Sequence, residues 1–258
     1  MQAVILAAGS GTRLRPMTDD RPKCMVEVQG RPLLHIQLAV LRRAGASRIT
    51  VVGGYLADRL ATDPDVQRLT NPEYAATNMV WTLKCAARAI GEDCVISYGD
   101  IIYPPQVIEA LLGSPHEIAV AVDLGWREYW ERRFPDVLSD AETLAMDGDG
   151  MLREIGRKPS RLEDIQGQYI GLVRFRGRQA AALRQRLEGL EAGTDVGGKP
   201  AAAAYMTDLL QVLIDEGRAV AAAPFRGEWC EVDSPRDLAL AQDRARGWLG
   251  AVFPGGDA

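Results

Sequence analysis

Residues 6–23 read LAAGSGTRLRPMTDDRPK, directly after the apolar run AVILA at 3–7. Glycines 9 and 11, placed just past a buried strand, let backbone N–H groups turn inward on an anion, with no side chain between them and a phosphate oxygen. Arg13 follows the turn and Lys23 closes the stretch. Pro16 and Pro22 fix the backbone between them and keep it out of a helix, so that two cations return to one anion site. Two other phosphate loops are excluded: a dinucleotide fingerprint needs glycine where Leu14 stands, and a P-loop needs a G-K-[ST] that does not follow. The stretch predicts a triphosphate site built from Leu6, Ala7, Ala8, Gly9, Ser10, Gly11 and Thr12, with Arg13 and Lys23 as candidate catalytic cations. Asp19 and Asp20 receive no role here beyond keeping the loop soluble.

Outward from this loop, Val- and Ile-rich runs (AVILA, ITVVGG at 49–54, CVISYG at 94–99, IAVAV at 118–122) alternate with segments of helical period. That alternation predicts an α/β protein, with a mostly parallel central sheet flanked by helices on both faces. Pro32 opens a helix with Leu33, Leu34, Ile36, Leu38 and Leu41 on one stripe, and Gly45 stops it. Further helices are expected at 79–90, 105–112, 179–190, 205–215 and 235–249. The pattern loosens over 126–158, where Asp147-Gly148-Asp149-Gly150 signals a turn between short strands. We expect a single domain over residues 1–250, this region being an acceptor-side insertion, and a tail at 251–258.

The chain has 258 residues, 47% of them hydrophobic, and a formal charge of −5. It carries no basic field for a polynucleotide or an anionic membrane. The first apolar segment is too short for a signal sequence and no run approaches a membrane span, so the expected location is cytoplasmic. Cys24, Cys85, Cys94 and Cys230 form no C-x-x-C pair and read as reduced core thiols.

The string LAAGSGTRLRPMTDDRPKCMVEVQGRPLL resembles the signature of nucleotidyltransferases that join a nucleoside monophosphate to a phosphorylated small molecule. NPEYAATNMVWTL at 71–83, SYGDIIY at 97–103, QYIGL at 168–172, YMTDLLQ at 205–211 and WCEVDSPRDL at 229–238 look like the phosphocholine, phosphonate and phosphoglutamine cytidylyltransferase branch. The sugar-1-phosphate branch matches less well, because its Q-x-x-P-x-G-L-type base loop is missing. The resemblance implies a glycosyltransferase-A-like fold, CTP as nucleotide, Mg²⁺ as cofactor and a homodimer. It also carries Tyr74, Thr77 and Asn78 over to the pyrimidine and ribose, with Ser97 and Gly99 beside the nucleotide.

Asp100 ends a strand of an open sheet, where ligands collect, and suits a metal ligand. A second acid must converge on it. Asp233, after the apolar run WCEV, is the candidate, and the resemblance supports both; the alternative for Asp233 is to cap the helix that Ser234-Pro235 begins. Glu231 is less easily placed. Asn78 likewise has a helix-capping alternative. For the acceptor, Trp126, Tyr129 and Trp130 offer an aromatic wall for a quaternary ammonium, or else pack the insertion onto the core. Lys158 is the candidate for the acceptor phosphate by likeness to sugar-phosphate relatives, and Gln168, Tyr169, Tyr205 and Asp208 recur in the matching motifs.

The expected reaction is attack of an acceptor phosphate or phosphonate oxygen on the α-phosphorus of CTP, releasing pyrophosphate. An anionic nucleophile needs no general base, in keeping with His35 and His116 lying outside polar motifs. Two readings compete: a sugar-1-phosphate nucleotidylyltransferase using UTP, dTTP or CTP, and a non-catalytic nucleotide-sensing module. The joint presence of Arg13, Lys23, Asp100 and Asp233 argues against the sensor.

Overall fold

The protein is described by a computed structural model covering residues 1–254. Seven strands form the main sheet: β1 (Gln2–Ala7), β2 (Arg48–Gly53), β3 (Gln67–Thr70), β4 (Asp93–Tyr98), β5 (Ile118–Asp123), β6 (Gln168–Arg176) and β7 (Val220–Phe225). Their order across the sheet is β7-β5-β6-β4-β1-β2-β3. Every neighbouring pair is parallel except those of β6, which runs antiparallel to β4 and β5. The helices are α1 (Leu33–Arg43), α2 (Met79–Cys85), α3 (Pro105–Gly113), α4 (Trp126–Arg133), α5 (Gly177–Glu188), α6 (Met206–Asp215) and α7 (Pro235–Val252). The expected mostly parallel α/β sheet is therefore observed.

Alternation along β1 explains why both faces need cover. Ala3, Ile5 and Ala7 enter one core with α1, α3 and α7, while Val4 and Leu6 enter the other with α2, α5 and α6. Strands buried on both sides read as unbroken apolar runs, which is the pattern the sequence shows. Among the described residues no helix is long and apolar enough to cross a membrane.

Several helix boundaries differ from the sequence reading: α5 starts and ends two residues earlier than expected, and two other differences have a packing cause. The helix expected over 79–90 is α-helical only to Cys85 and then tightens into a 3₁₀ turn, Ala87–Ala89. Ala86, Ala87, Ala89 and Ile90 stay buried through that change, so apolar spacing cannot register it. The last helix runs on to Val252, two residues into the expected tail, because Trp248, Leu249 and Val252 pack on the core. Residues 255–258 of that tail lie outside the described residues.

The 126–158 region holds α4 and a hairpin of Leu144–Met146 with Leu152–Ile155. The signalled turn closes it, with Asp147 Oδ1 accepting the N–H groups of Asp149 and Met151 at 3.0 and 2.9 Å. On α4, Trp126, Tyr129, Trp130 and Arg133 share one helix face and are all buried. The aromatic-wall expectation for Trp126 and Trp130 is corrected here. They pack edge-on to each other at 6.0 Å, and Trp130 lies 6.0 Å from Trp229 in the core. Arg127, Glu128, Glu131 and Arg132 occupy the rest of the helix, so its one apolar stripe goes to the interior.

Candidate active site

The carboxyl ends of β1 and β4 meet at a close backbone approach. Gly99 N–H donates to Leu6 O at 2.8 Å, and a Cβ at Gly99 would stand 2.8 Å from that oxygen and 2.9 Å from Ala7 Cα. Only glycine lets β4 pass this tightly, and the crossing delivers Asp100 to the floor of the cleft. Two residues of chain beyond Asp100, Ile101–Ile102, then pair antiparallel with Cys230–Glu231, and Val232 N–H donates to Asp100 O at 2.9 Å. This short ladder is what brings acids distant in sequence together. One carboxylate oxygen each from Asp100, Glu231 and Asp233 lies within 4.8 Å of the others.

On the opposite wall, Gly11 sits in the left-handed region (φ 59°), and a Cβ there would press on Lys23 Cβ at 3.0 Å. Thr18 Oγ1 ties the loop back, donating to Gly11 O at 2.8 Å, and Leu14 is fully buried beneath it. Lys23 is thereby aimed at the acids: its Nζ donates to Asp100 Oδ2 at 2.7 Å and also to Asp233 Oδ1. Arg13 Nη2 reaches Asp233 Oδ2 at 2.6 Å. Burial opposes the charge on Lys23, but Asp100 and Asp233 outweigh it and raise its pKa. Burial likewise opposes ionisation of Asp233, yet Lys23 and Arg13 hold its carboxyl below the usual range. Glu231 is pushed up to about 7 by burial, with Asp233 and Asp100 adding to the effect and Arg133 working against it.

The cleft between these walls has a volume of about 320 Å³. It is lined by the predicted Leu6, Ala7, Ala8, Gly9, Gly11, Thr12, Arg13, Lys23, Tyr74, Thr77, Asn78, Gly99, Asp100 and Asp233. Ser10 and Ser97 are not among its lining residues. Ser97 is fully buried with its hydroxyl donating to Gln37 Oε1 at 2.8 Å, because its side chain points from β4 into the sheet interior. The capping alternative for Asp233 falls to Ser234, whose Oγ accepts the Asp237 N–H at 3.2 Å and leaves the Asp233 carboxylate to the cleft. Asn78 Oδ1 caps α2 through Met79 N–H at 2.9 Å and its Nδ2 donates to Ala203 O at 3.4 Å, and the residue also lines the cleft.

Sequence reasoning missed Glu231, Tyr98, Cys24, Met79 and Thr82 as lining residues. For Glu231 a signal existed: positions i and i+2 of an extended segment share a face, so Glu231 accompanies Asp233.

The expected acceptor residues lie outside this cleft. Lys158 is exposed and donates to the carbonyls of Leu138 and Ser139, the latter at 2.7 Å. Gln168 is buried, its Nε2 donating to Glu142 O at 2.6 Å. Asp208 pairs with Lys199 at 2.9 Å and accepts the Tyr205 N–H at 2.8 Å, fastening the start of α6. Tyr205 is exposed, with Lys199 4.8 Å above its ring. Tyr169 comes nearest to the cleft, through its edge-on contact with Tyr98 at 5.8 Å.

Three converging carboxylates suit one divalent cation, which takes oxygen ligands from acids, phosphates and water. A buried orphan atom favours the fit: Asp100 Oδ1 has no hydrogen-bond partner. A glycine turn, two cations and an acidic cluster at the strand ends of such a sheet suit a nucleotidyltransferase. The chain belongs to the family described as the MobA-like NTP transferase domain, whose model matches residues 3–162. It is 38% identical over 248 residues, 92% of this chain and 98% of the relative, to the CTP:phosphoglutamine cytidylyltransferase of Campylobacter jejuni. Over 106 residues, 40% of this chain and 46% of the relative, it is 36% identical to the choline-phosphate cytidylyltransferase of Streptococcus pneumoniae. Among solved structures, the inositol-1-phosphate CTP transferase from T. maritima shares the fold, with a TM-score of 0.73 at 18% identity, covering 100% of this chain and 98% of that one.

Proposed function

We propose that this nucleotidyltransferase is a Mg²⁺-dependent cytidylyltransferase that moves CMP from CTP to a small phosphorylated amide of the phosphoglutamine type. The observation that carries the reading is the meeting of Arg13 and Lys23 with Asp100, Glu231 and Asp233 at the mouth of a glycine-rich turn. The choice of acceptor follows the relative that matches nearly end to end. Burial of Trp126 and Trp130 argues the same way, since a quaternary ammonium would lose that aromatic wall.

In this reading the turn after β1 holds the triphosphate, and the cleft beside Tyr74, Thr77 and Asn78 takes the cytidine. An oxygen of the acceptor phosphate attacks the α-phosphorus of CTP. A new P–O bond forms, the bond from the α-phosphorus to its bridging oxygen breaks, and the electron pair leaves with pyrophosphate. The nucleophile is already an anion, so no side chain has to remove a proton. The difficulty is electrostatic: two anions approach while charge grows on the bridging oxygen, and fixed cations lower that barrier. Lys23 is held near its place by the loop, and Arg13, with 63% of its side chain exposed, has room to swing onto phosphate. Asp100, Glu231 and Asp233 would hold Mg²⁺, which when bound supplies Lewis-acid polarisation of phosphate oxygens.

The test is product identification by mass spectrometry after incubation with Mg²⁺, each of CTP, UTP, dTTP, ATP and GTP, and a panel of acceptors: L-glutamine phosphorylated on its amide, phosphocholine, 2-aminoethylphosphonate, 2-hydroxyethylphosphonate and hexose 1-phosphates. The expected product is cytidine joined through a diphosphate to the amide nitrogen, one phosphorus coming from CTP and one from the acceptor. A product formed only from UTP or dTTP and a hexose 1-phosphate would replace this reading with the sugar-nucleotide one, and tight nucleotide binding with no product at all would favour a sensor.

A further inference from the structure

The buried face of α4 carries two polar groups, the Tyr129 hydroxyl and the Arg133 guanidinium, that reach the acidic cluster. Arg133 ends that helix with its side chain only 1% exposed. Its Nη1 forms an ion pair with Glu231 Oε2 at 2.6 Å, and its Nε donates to Asp237 Oδ1 at 2.8 Å. The other oxygen of Asp237 accepts the backbone N–H of Asp233 at 3.3 Å and the Ser234 hydroxyl at 2.8 Å. One turn earlier on the helix, the Tyr129 hydroxyl donates to Glu231 O at 3.2 Å and accepts Glu231 N–H at 3.0 Å. The guanidinium is itself boxed by the rings of Tyr129, Trp130 and Phe134, at 5.3, 5.2 and 4.9 Å.

A single helix thus grips two of the three clustered acids, Glu231 by its carboxylate and its backbone, and Asp233 through Asp237. Stability alone does not call for such an arrangement, because a buried ion pair rarely outperforms well-packed apolar side chains of the same volume. What it provides is a fixed direction for carboxylates that would otherwise repel one another. We infer that Arg133 and Tyr129 are positioning residues that pre-set the Asp100–Glu231–Asp233 cluster for a divalent cation, with Asp237 as the link to Asp233. The inference rests on the metal reading proposed above. It also gives the 126–158 region a function different from covering an acceptor: its first helix is the brace of the metal site.

Partners of this kind typically alter metal affinity about 10- to 100-fold when removed. The experiment is a titration of the full chain with Mn²⁺, following the electron paramagnetic resonance signal of the free ion, on wild type, Asp233→Asn, Tyr129→Phe and Arg133→Lys. Melting temperature and steady-state rates at graded Mg²⁺ accompany it. Tyr129→Phe keeps the ring in place and deletes only the hydroxyl, so it decides the matter even where Arg133→Lys does not fold. Supporting results are a Mn²⁺ dissociation constant raised about 10- to 100-fold in Tyr129→Phe and Arg133→Lys, with the rate recovered at correspondingly higher Mg²⁺. Because a divalent cation that binds the folded state also restores a destabilised chain, the melting temperatures, taken at the same Mg²⁺ concentrations, are what separate this from a folding defect. Mn²⁺ affinity equal to wild type in both variants, or in Tyr129→Phe alone if the other is unfolded, overturns the brace while leaving the metal site standing. Wild type that binds no Mn²⁺, or binds it as Asp233→Asn does, overturns the metal reading and the brace with it.

Discussion

Lys23→Met keeps the length of the side-chain stem and removes the charge that separates Asp100 from Asp233. Lys23 and Asp233 are each 14% exposed at the side chain and Asp100 is 18% exposed, so the two carboxylates would be left close together and largely shielded from water. Breaking a buried ion pair by removing one partner costs about 3–5 kcal/mol. The residual solvent access here places the cost near the lower end, about 3 kcal/mol. For a chain of this size each kcal/mol moves the melting temperature by about 2–4 °C, which gives a fall of roughly 6–12 °C in metal-free buffer. A divalent cation binds the folded state selectively and should return part of that loss. Catalysis should not return with it, because the loop has lost a fixed positive charge near the reacting phosphates; kcat is expected to fall about 10²- to 10³-fold at saturating Mg²⁺. Differential scanning fluorimetry with EDTA or Mg²⁺, paired with initial rates, reads both effects. A melting temperature within about 2 °C of wild type, together with a rate within about threefold, would refute the reasoning, since each lies well under the expected effect.

Gly99→Ala should cost several kcal/mol and displace Asp100, because its Cβ would meet Leu6 O and Ala7 Cα, both backbone atoms that cannot step aside; urea melts and metal titration of the same variant check this. Cys24, Cys94 and Cys230 are buried, and burial pushes each thiol up to about 12, so at pH 8 only about one in 10⁴ is thiolate. Native protein treated with a thiolate-selective alkylating agent should therefore label at Cys85 alone, which is partly exposed, and all four should label in denaturant. Burial raises the Cys85 pKa as well, so labelling there should be slower than for a free thiol at pH 8 and should speed up as pH rises.

The sheet was legible because strands covered on both faces are apolar along most of their length, and the interiors of β1, β2, β4 and β5 carry that pattern, broken only by the buried Thr50 and Ser97. The triphosphate turn was legible for a related reason: glycine, proline and a returning lysine impose backbone geometry locally. What escaped was decided by tertiary contact. Ser97 lies in a motif with Gly99 and Asp100, but strand alternation turns it inward to Gln37. The two tryptophans of α4 had the chemistry of an ammonium site, yet helical spacing with charges on every other face commits them to the core. Glu231 shares a face with Asp233, as spacing allows, but the meeting of both with Asp100 came through the pairing of Cys230–Glu231 with Ile101–Ile102, a contact that spacing along the chain does not encode. Lys158, Gln168 and Asp208 each found a partner near their own element, which no motif reports.

The most direct measurement is pyrophosphate release from CTP with Mg²⁺, with and without L-glutamine phosphorylated on its amide, for wild type and for Asp100→Asn. Release is expected to require both the acceptor and the divalent cation, and to fall by at least about 10²-fold in the variant. Release that is indifferent to the acceptor, or equal in Asp100→Asn, would contradict the proposed reaction.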